Sequence, residues 1–457
     1  MNAIIEEALR RLKSKVEEIA GDFACKALSP RSLAQFEHKL FESLGELGRN
    51  VEKAVLEDAD IEKPSIEIDG QRHYWKYKGP QEYQCLFGKI EVRRSVYQAN
   101  GERTVCPLEV NAGILHHHLT PPAAEFVAYS TAHMVPAELA EFCRRWQFLE
   151  PSETVIKLAA AEVGELAEVL QDSYEEKIHK QEGPAPEGTT VLAVSRDGTN
   201  VNIRGEGWRQ AQVGSLSFYA EKPEPAEGDD DEERRQRLRT VYLAQMPDER
   251  TQVFDGKFEA ELAHALGGLP ERALIACIAD GARSIWTYFE GHPQLKHAVH
   301  INDFYHAAEH LSDAADALFG KGTEKAKAWF VKYRRILKLE DGGVEHVIRT
   351  LRYYKRSLNI RSGPRDKVIR KTLRYFSRNQ SRMKYAEYRR RGLPIGSGVV
   401  EAACKTVVGH RLKRAGMRWS IEGGQSILNL RTLVLSERWD GFWQCHEATL
   451  SANRIPA

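Results

Sequence analysis

Residues 189–203 read TTVLAVSRDGTNVNI, and this stretch decides the fold. Its apolar run VLAV describes a buried strand, and Asp197 with Gly198 follows directly. On the carboxy-terminal side, WRQAQVGSLSFYA (208–220) alternates as a second strand and TVYLAQM (240–246) reads as a third. Between them EKPEPAEGDDDEERRQRLR (221–239) is acidic, contains proline, and reads as an exposed loop. FDGKFEAELAHALGG (254–268) has helical spacing and is closed by glycine. ALIACIAD (273–280) is a fourth strand, GARSIWTYFEG a short helix, and KHAVHIND (296–303) a fifth strand. On the amino-terminal side, KQEGPAPEG (180–188) is a linker by composition.

Three strands, a helix, a strand, a helix and a strand make the order of the ribonuclease-H-like fold, in which three antiparallel strands are extended by βα units into a mixed five-stranded sheet. The expected class is therefore α+β and multidomain. The 457 residues leave room for two to four domains. Residues 1–60 read as an amino-terminal helical segment, with Ile5, Leu9, Leu12, Val16 and Ile19 at helical spacing, and 61–120 as a small β region. Residues 121–180 read as helical, with a helix–turn–helix-sized unit opened at its second helix by Ser152. That unit is a DNA-binding candidate, but Lys157 is accompanied by Glu153, Glu162 and Glu165, so ordinary packing explains it too. The catalytic core is expected over 189–310, a basic helical insertion over 311–393, and completion of the core by two helices over 394–445.

Composition narrows the classes. Hydrophobic residues at 42% support a packed core. No apolar run is long enough for a membrane span, and the first residues form a charged amphipathic pattern without a signal-peptide core. The chain reads as cytosolic, soluble and reduced. The seven cysteines contain no CxxC pair, which argues against a disulfide framework or a four-ligand zinc site. His116, His117 and His118 lack nearby cysteine or acidic partners in the sequence and read as loop rather than metal site.

The net charge of +1 conceals a segregation. Residues 331–420 hold 25 Lys and Arg against 6 Asp and Glu, while the rest of the chain holds 41 against 59. A block this basic fits a polyanion, and nucleic acid is the commonest one. Candidate DNA contacts are Arg334, Arg335, Arg352, Lys355, Arg356, Arg370, Lys371, Arg374, Arg389, Arg390, Lys405, Arg411, Lys413 and Arg414. Tyr353, Tyr354, Tyr375, Phe376, Tyr385 and Tyr388 are interleaved with the cations, either as bases' stacking partners or as the apolar side of the helices.

Asp197 on the first strand and Asp280 at the end of the fourth would lie on neighbouring strands. Two such carboxylates repel unless a hard cation sits between them, and Mg²⁺ or Mn²⁺ suits oxygen ligands. A third acid, Glu401, opens the helix after PIGSG. Three acids can hold two ions for in-line phosphoryl transfer. Each Asp-Gly taken alone is also a turn signal. Asp303 and His306 are three apart on a helical face; a helix N-cap with a partly buried histidine describes them equally well. His300 and Glu309 lie nearby.

With these motifs in hand, the chain resembles bacterial insertion-sequence transposases of the DDE class, most closely the ISKra-type group, with Mutator-like transposases as more distant relatives. The resemblance rests on VSRDGT around Asp197, IADGARSIW around Asp280, INDFYHAAEHL around Asp303 and His306, GSGVVEAACK around Glu401, and the closing RAGMRWSIEGGQSILNLRTLVLSERWDGFW. It is strong over 189–443 and weaker over 80–170. It implies a ribonuclease-H-like core with a helical insertion between the second Asp and the Glu, here an interval of 121 residues. It also implies catalysis and metal binding by Asp197, Asp280 and Glu401 with two Mg²⁺ or Mn²⁺ ions, support from Asp303 and His306, and double-stranded DNA as partner, at transposon terminal inverted repeats and at the target. The expected reaction is cleavage at transposon ends and transfer of the 3′-hydroxyl into target DNA by a homo-oligomer. A structure-selective nuclease on the same fold, or a silent DNA-binding derivative, are the alternatives. One departure stands out: relatives often carry paired cysteines in the amino-terminal strand region, whereas YQANGERTVCPLEV keeps only Cys106, Pro107 and Leu108, against a zinc-bound module there.

Overall fold

The computed structural model describes residues 2–68, 70–146, 149–221, 235–248, 251–396, 398–452 and 454–456. The fold is mixed α+β. The chain forms two compact units. One comprises Met1–Lys177 with Asn429–Val434 and Arg438–Ala457, the other Ile178–Leu428 with Leu435–Glu437. No described helix is long and apolar enough to cross a membrane.

In the first unit, helices Asn2–Ala24 and Pro30–Asp58 pack together, with the Phe23 and Phe36 rings 4.8 Å apart. Ser29 starts the second of them through a capping box with Ser32. A four-stranded antiparallel sheet follows, with strands β1 (Ser65–Ile68), β2 (Gln71–Cys85), β3 (Gly88–Gln98) and β4 (Thr104–Val105) in that order. Gly79 and Pro80 read as strand punctuation, yet β2 runs through them. The reason is positional. β1 pairs only with residues 71–74, so Pro80 faces β3 on one side and an open edge on the other, where its missing N–H costs nothing.

Cys85 and Cys106 lie in the apolar cluster with Tyr83, Ile90, Val92 and Leu108. Burial raises Cys85 to about 12 and Cys106 to about 11.

The helix–turn–helix-sized pair is Pro136–Trp146 and Glu153–Val169. Ser152 caps the second by accepting from the Val155 N–H. Leu139 and Cys143 on one and Ile156, Ala160 and Val163 on the other are buried. Lys157 stands 3.6 Å from Glu153. His116 and His117 approach Glu162 at 2.7 and 3.7 Å, and His118 takes a left-handed conformation at φ 59° in a loop.

The second unit is built on a five-stranded sheet of β5 (Val191–Ile203), β6 (Gly207–Glu221), β7 (Arg235–Gln245), β8 (Leu274–Ala279) and β9 (Val299–Asn302). The spatial order is β7-β6-β5-β8-β9. β5, β6 and β7 are antiparallel neighbours, and β8 and β9 continue parallel to β5. β7 begins five residues before the expected 240, within the stretch read as loop. Arg239 explains part of this. Its guanidinium lies 4.7 Å from the Phe218 ring centre and donates to the carbonyls of Glu182, Gly183 and Pro184, so an arginine-rich segment is accommodated as strand. Of the expected acidic loop, 222–234 lie outside the described residues.

Side chains alternate between the sheet's faces. Leu192, Val194, Leu216, Phe218, Cys277 and Ala279 meet helices Gln252–Gly267 and Arg283–Gly291 on one face, through Phe254, Phe258, Trp286 and Phe289. Val191, Ala193, Ala276, Ile278 and Ile301 meet helix Phe304–Phe319 and the helices that follow it on the other. Those following helices are Glu324–Leu339, Gly343–Ser357, Gly363–Asn379 and Tyr385–Arg390. Their apolar stripes, Trp329, Tyr333, Ile336, Val347, Leu351, Ile369 and Phe376, join the same core.

Candidate metal centre and basic surface

The alternation on β5 places Asp197 on the face of Val191 and Ala193, the face covered by helix Phe304–Phe319. Ser195 pairs with Ile278 across the parallel β5–β8 ladder. Continuing that register by two residues aligns Asp197 with Asp280, on strands about 4.8 Å apart. Arg196 points to the opposite face, where Phe254, Phe258 and Tyr288 enclose its guanidinium and Asp255 pairs with it.

Asp197 Oδ1 accepts from the Gly198 N–H at 2.7 Å, and Oδ2 lies 3.4 Å from Cys404 Sγ, which donates to it. Burial pushes the Asp197 carboxyl above its ordinary value, and the neighbouring carboxylates of Asp280 and Glu401 push the same way. Asp280 Oδ1 accepts from the Ala282 N–H at 2.8 Å, while its carbonyl accepts from Trp286 Nε1 at 2.8 Å. The turn after β8 is thus held at both ends of the aspartate.

Asp303 is fully buried and caps helix Phe304–Phe319, its Oδ1 accepting from the His306 N–H at 2.5 Å. His306 Nδ1 lies 3.8 Å from Glu401 Oε1 and 3.9 Å from Glu309 Oε2. At 3.8 Å the Glu401 contact is an ion pair rather than a formed hydrogen bond. Glu401 is the main influence raising His306 to about 9, with burial opposing and Asp280, Glu309 and Asp303 adding to the rise.

Glu401 stands on helix Gly398–Ala403, which runs into a π-helical segment, Cys404–Gly409. Three contacts fasten this region along β5. Cys404 reaches Asp197, Lys413 Nζ donates to Thr199 Oγ1 at 3.1 Å, and the Trp419 N–H donates to the Asn202 carbonyl at 3.0 Å. The extra residue of a π turn changes which side chains face the sheet, and such turns are frequent at functional sites.

Asp303, His306 and Glu401 offer ligand atoms that all lie within 4.8 Å of one another, a group that could hold a metal ion. Asp197 and Asp280 are not members of that group. The structure therefore links the five expected residues in two ways: Asp303, His306 and Glu401 as a tight donor set, and Asp197 and Asp280 as aligned carboxylates electrostatically joined to Glu401. His300 lies away from them, its ring 6.0 Å from Trp286.

Some residues of the site lie inside the quoted motifs or among the named aromatics, yet nothing in the sequence gives them a role. Asn302 Nδ2 donates to the Tyr375 hydroxyl at 2.7 Å, Tyr385 donates to the Asn302 carbonyl at 2.8 Å, and the His310 ring lies 4.0 Å from that of Tyr375. This network underlies Asp303 from the insertion side. Cys404 is the other, and its thiol beside Asp197 carried no local signal.

The basic residues divide. Arg335, Arg352, Arg356, Arg370, Lys371, Arg374, Arg390, Lys405, Lys413 and Arg414 are exposed, and Arg334, Lys355 and Arg389 are half-buried. Arg411 is a correction: it is fully buried, its guanidinium 5.5 Å from the Trp419 ring centre, so it is part of the interior and not of a phosphate-binding surface. Several of the others are already neutralised. Lys355 and Arg370 each approach Asp366 at 2.6 Å, and Arg390 approaches Asp341 at 2.9 Å. The aromatic residues resolve toward the core. Phe376, Tyr385 and Tyr388 are buried and Tyr354 and Tyr375 half-buried, which leaves Tyr353 as the exposed ring.

No protein-family model matches the chain, and no curated protein is significantly similar to it.

Proposed function

We propose that the chain is a metal-dependent DNA transposase of the DDE class on a ribonuclease-H-like core. The observation that carries this reading is the parallel β5–β8 ladder, whose register, continued past Ser195–Ile278, aligns Asp197 with Asp280 just after β8, with both carboxylates acting electrostatically with Glu401. The strand order β7-β6-β5-β8-β9, antiparallel through β5 and parallel beyond, supports the fold assignment. The oxygen-rich donors fit hard dications, and the Asp197 carboxyl, raised mainly by burial and further by the Asp280 and Glu401 carboxylates, would be relieved by a bound cation.

Asp197, Asp280 and Glu401 would hold the ions, with the Gly198 and Ala282 N–H groups orienting the two aspartates. Two Mg²⁺ or Mn²⁺ ions there would activate a water or 3′-hydroxyl and stabilise the leaving oxygen of an in-line displacement. His306, partly exposed, would support DNA positioning near the metals, with the buried Asp303 fixing the helix turn that carries it. Exposed cations such as Arg352, Lys371, Arg374 and Lys405 would hold backbone phosphates. A homo-oligomer would bring two transposon ends together.

The test uses short inverted repeats flanking the coding region as substrate. Asp197→Asn and Glu401→Gln should each abolish Mg²⁺-dependent end cleavage while DNA binding and the melting curve persist. Unchanged cleavage in either purified variant refutes the metal assignment. A pre-nicked end supplied with target DNA separates a transposase, which joins the strands, from a nuclease, which does not.

A further inference from the structure

Among the described residues, the donor set close enough together to hold a metal ion is Asp303, His306 and Glu401, not the three carboxylates above. Its members come from two separate chain segments. Asp303 and His306 are brought together by the first turn of helix Phe304–Phe319, and Glu401 arrives from helix Gly398–Ala403. Asp303 is fully buried and fixed as an N-cap by the hydrogen bond it accepts from the His306 N–H. His306 and Glu401 are each partly accessible, with side chains 40% and 36% exposed, so an ion can enter from solvent. The set mixes one imidazole nitrogen with carboxylate oxygens. Mg²⁺ prefers oxygen and keeps its waters, whereas imidazole favours first-row transition metals.

We propose that Asp303, His306 and Glu401 bind a first-row transition-metal dication at a position distinct from the one between Asp197 and Asp280. Binding here does not depend on the DNA chemistry proposed above, whose proposed metal ligands share only Glu401 with this set. The competing explanation is purely structural: His306 as the ion-pair partner of Glu401, and Asp303 as a helix cap.

Mn²⁺ serves as the probe, added to the full-length protein and followed by pulsed EPR. The wild-type protein should show echo modulation from a directly bound imidazole nitrogen. A hundredfold excess of Mg²⁺ should leave that signal, and stoichiometric Zn²⁺, a stronger binder of nitrogen and oxygen sites, should remove it. His306→Ala should lose the modulation and bind Mn²⁺ at least about tenfold more weakly. Glu401→Gln, close in shape to the native residue, should weaken Mn²⁺ binding with an unchanged melting curve in chelator. Asp197→Asn should keep the nitrogen signal. Absence of nitrogen modulation in the wild type, its survival in His306→Ala, or mole-for-mole displacement by Mg²⁺ each overturns the assignment. A protein that shows the signal yet cleaves no DNA fails only the transposase reading. One that cleaves DNA without the signal fails only this one.

Discussion

A single methyl group beside Asp280 tests how tightly the pocket is built. Gly281 has no left-handed backbone that would demand glycine; space is what excludes a side chain. A Cβ placed on it would stand 2.6 Å from Tyr375 Cε2, 3.2 Å from Cδ2 and 3.3 Å from Asn379 Nδ2. Carbon atoms pack at about 3.5–4.0 Å, so the closest contact is short by about 1 Å. Tyr375 cannot easily yield, because Asn302 donates to its hydroxyl at 2.7 Å and His310 packs on its ring at 4.0 Å. Gly281→Ala is therefore an overpacking substitution costing about 1–3 kcal/mol. With a urea slope of roughly 3 kcal/mol per M, the unfolding midpoint should fall by about 0.3–1 M. Tyr375→Phe keeps the ring and should leave that cost in place. Tyr375→Ala removes the obstruction, and Gly281→Ala made in that background should cost less than about 0.5 kcal/mol. An equal penalty in both backgrounds would refute the steric account. Because the alternative to moving Tyr375 is tilting the Asp280 turn, Gly281→Ala should also weaken cleavage more than its stability loss explains.

DNA affinity should fall steeply with salt, each phosphate contact adding about −0.9 to the log–log slope; Lys405→Ala should reduce that slope by about one contact and Arg411→Met should leave it unchanged, whereas a flat response of the wild type removes the basic helices from DNA binding. Ser152→Ala deletes a helix cap in the first unit and should cost about 1 kcal/mol, read by thermal or urea unfolding, with Ser152→Asp restoring it. Lys355 and then Arg370 hold the Asp366 carboxyl below its ordinary value, so the ion pair stabilises the fold above the unfolded-state pKa of about 4 and loses its contribution as pH falls through the lower folded value. Asp366→Asn should accordingly melt below the wild type at pH 7, and the gap should close below about pH 4; a gap independent of pH would mean that the pair is not the source.

The strands of the second unit were legible because burial on two faces and on one face leaves different periods in the sequence. VLAV and LIACIA read as continuous apolar runs, and the structure places both in the middle of the sheet with helices above and below. The start of β7 was illegible for the converse reason. Arg235, Arg237 and Arg239 look like loop residues, and partners distant in sequence, among them the Phe218 ring, the carbonyls at 182–184 and the Glu182 carboxylate, make the last of them acceptable in a strand. The basic block has the same ambiguity. Its composition announces cations, but nothing local tells Arg411, enclosed against Trp419, from Lys405, which faces solvent.

At the site, sequence spacing offered two descriptions of Asp303 and His306, a helix cap or a functional pair, and the structure shows the cap, which also leaves their donor atoms close together. An N-cap carboxylate must meet the backbone N–H of the third helical residue, and that residue here is His306. The cap thereby draws the His306 backbone onto Asp303 and sets its imidazole beside the same carboxylate. Capping supplies the rigidity that a ligand pair needs, at no further cost in ordered side chains. What the spacing could not supply is the third member. Glu401 enters from nearly a hundred residues away, on a helix whose π segment brings Cys404 against Asp197. If that registry is what keeps Glu401 within reach of His306 as well as Asp197, then Cys404→Ser, which preserves a donor to Asp197, should retain metal binding better than Cys404→Ala. Equal Mn²⁺ affinities in the two variants would show that the helix is held by Lys413 and Trp419 alone.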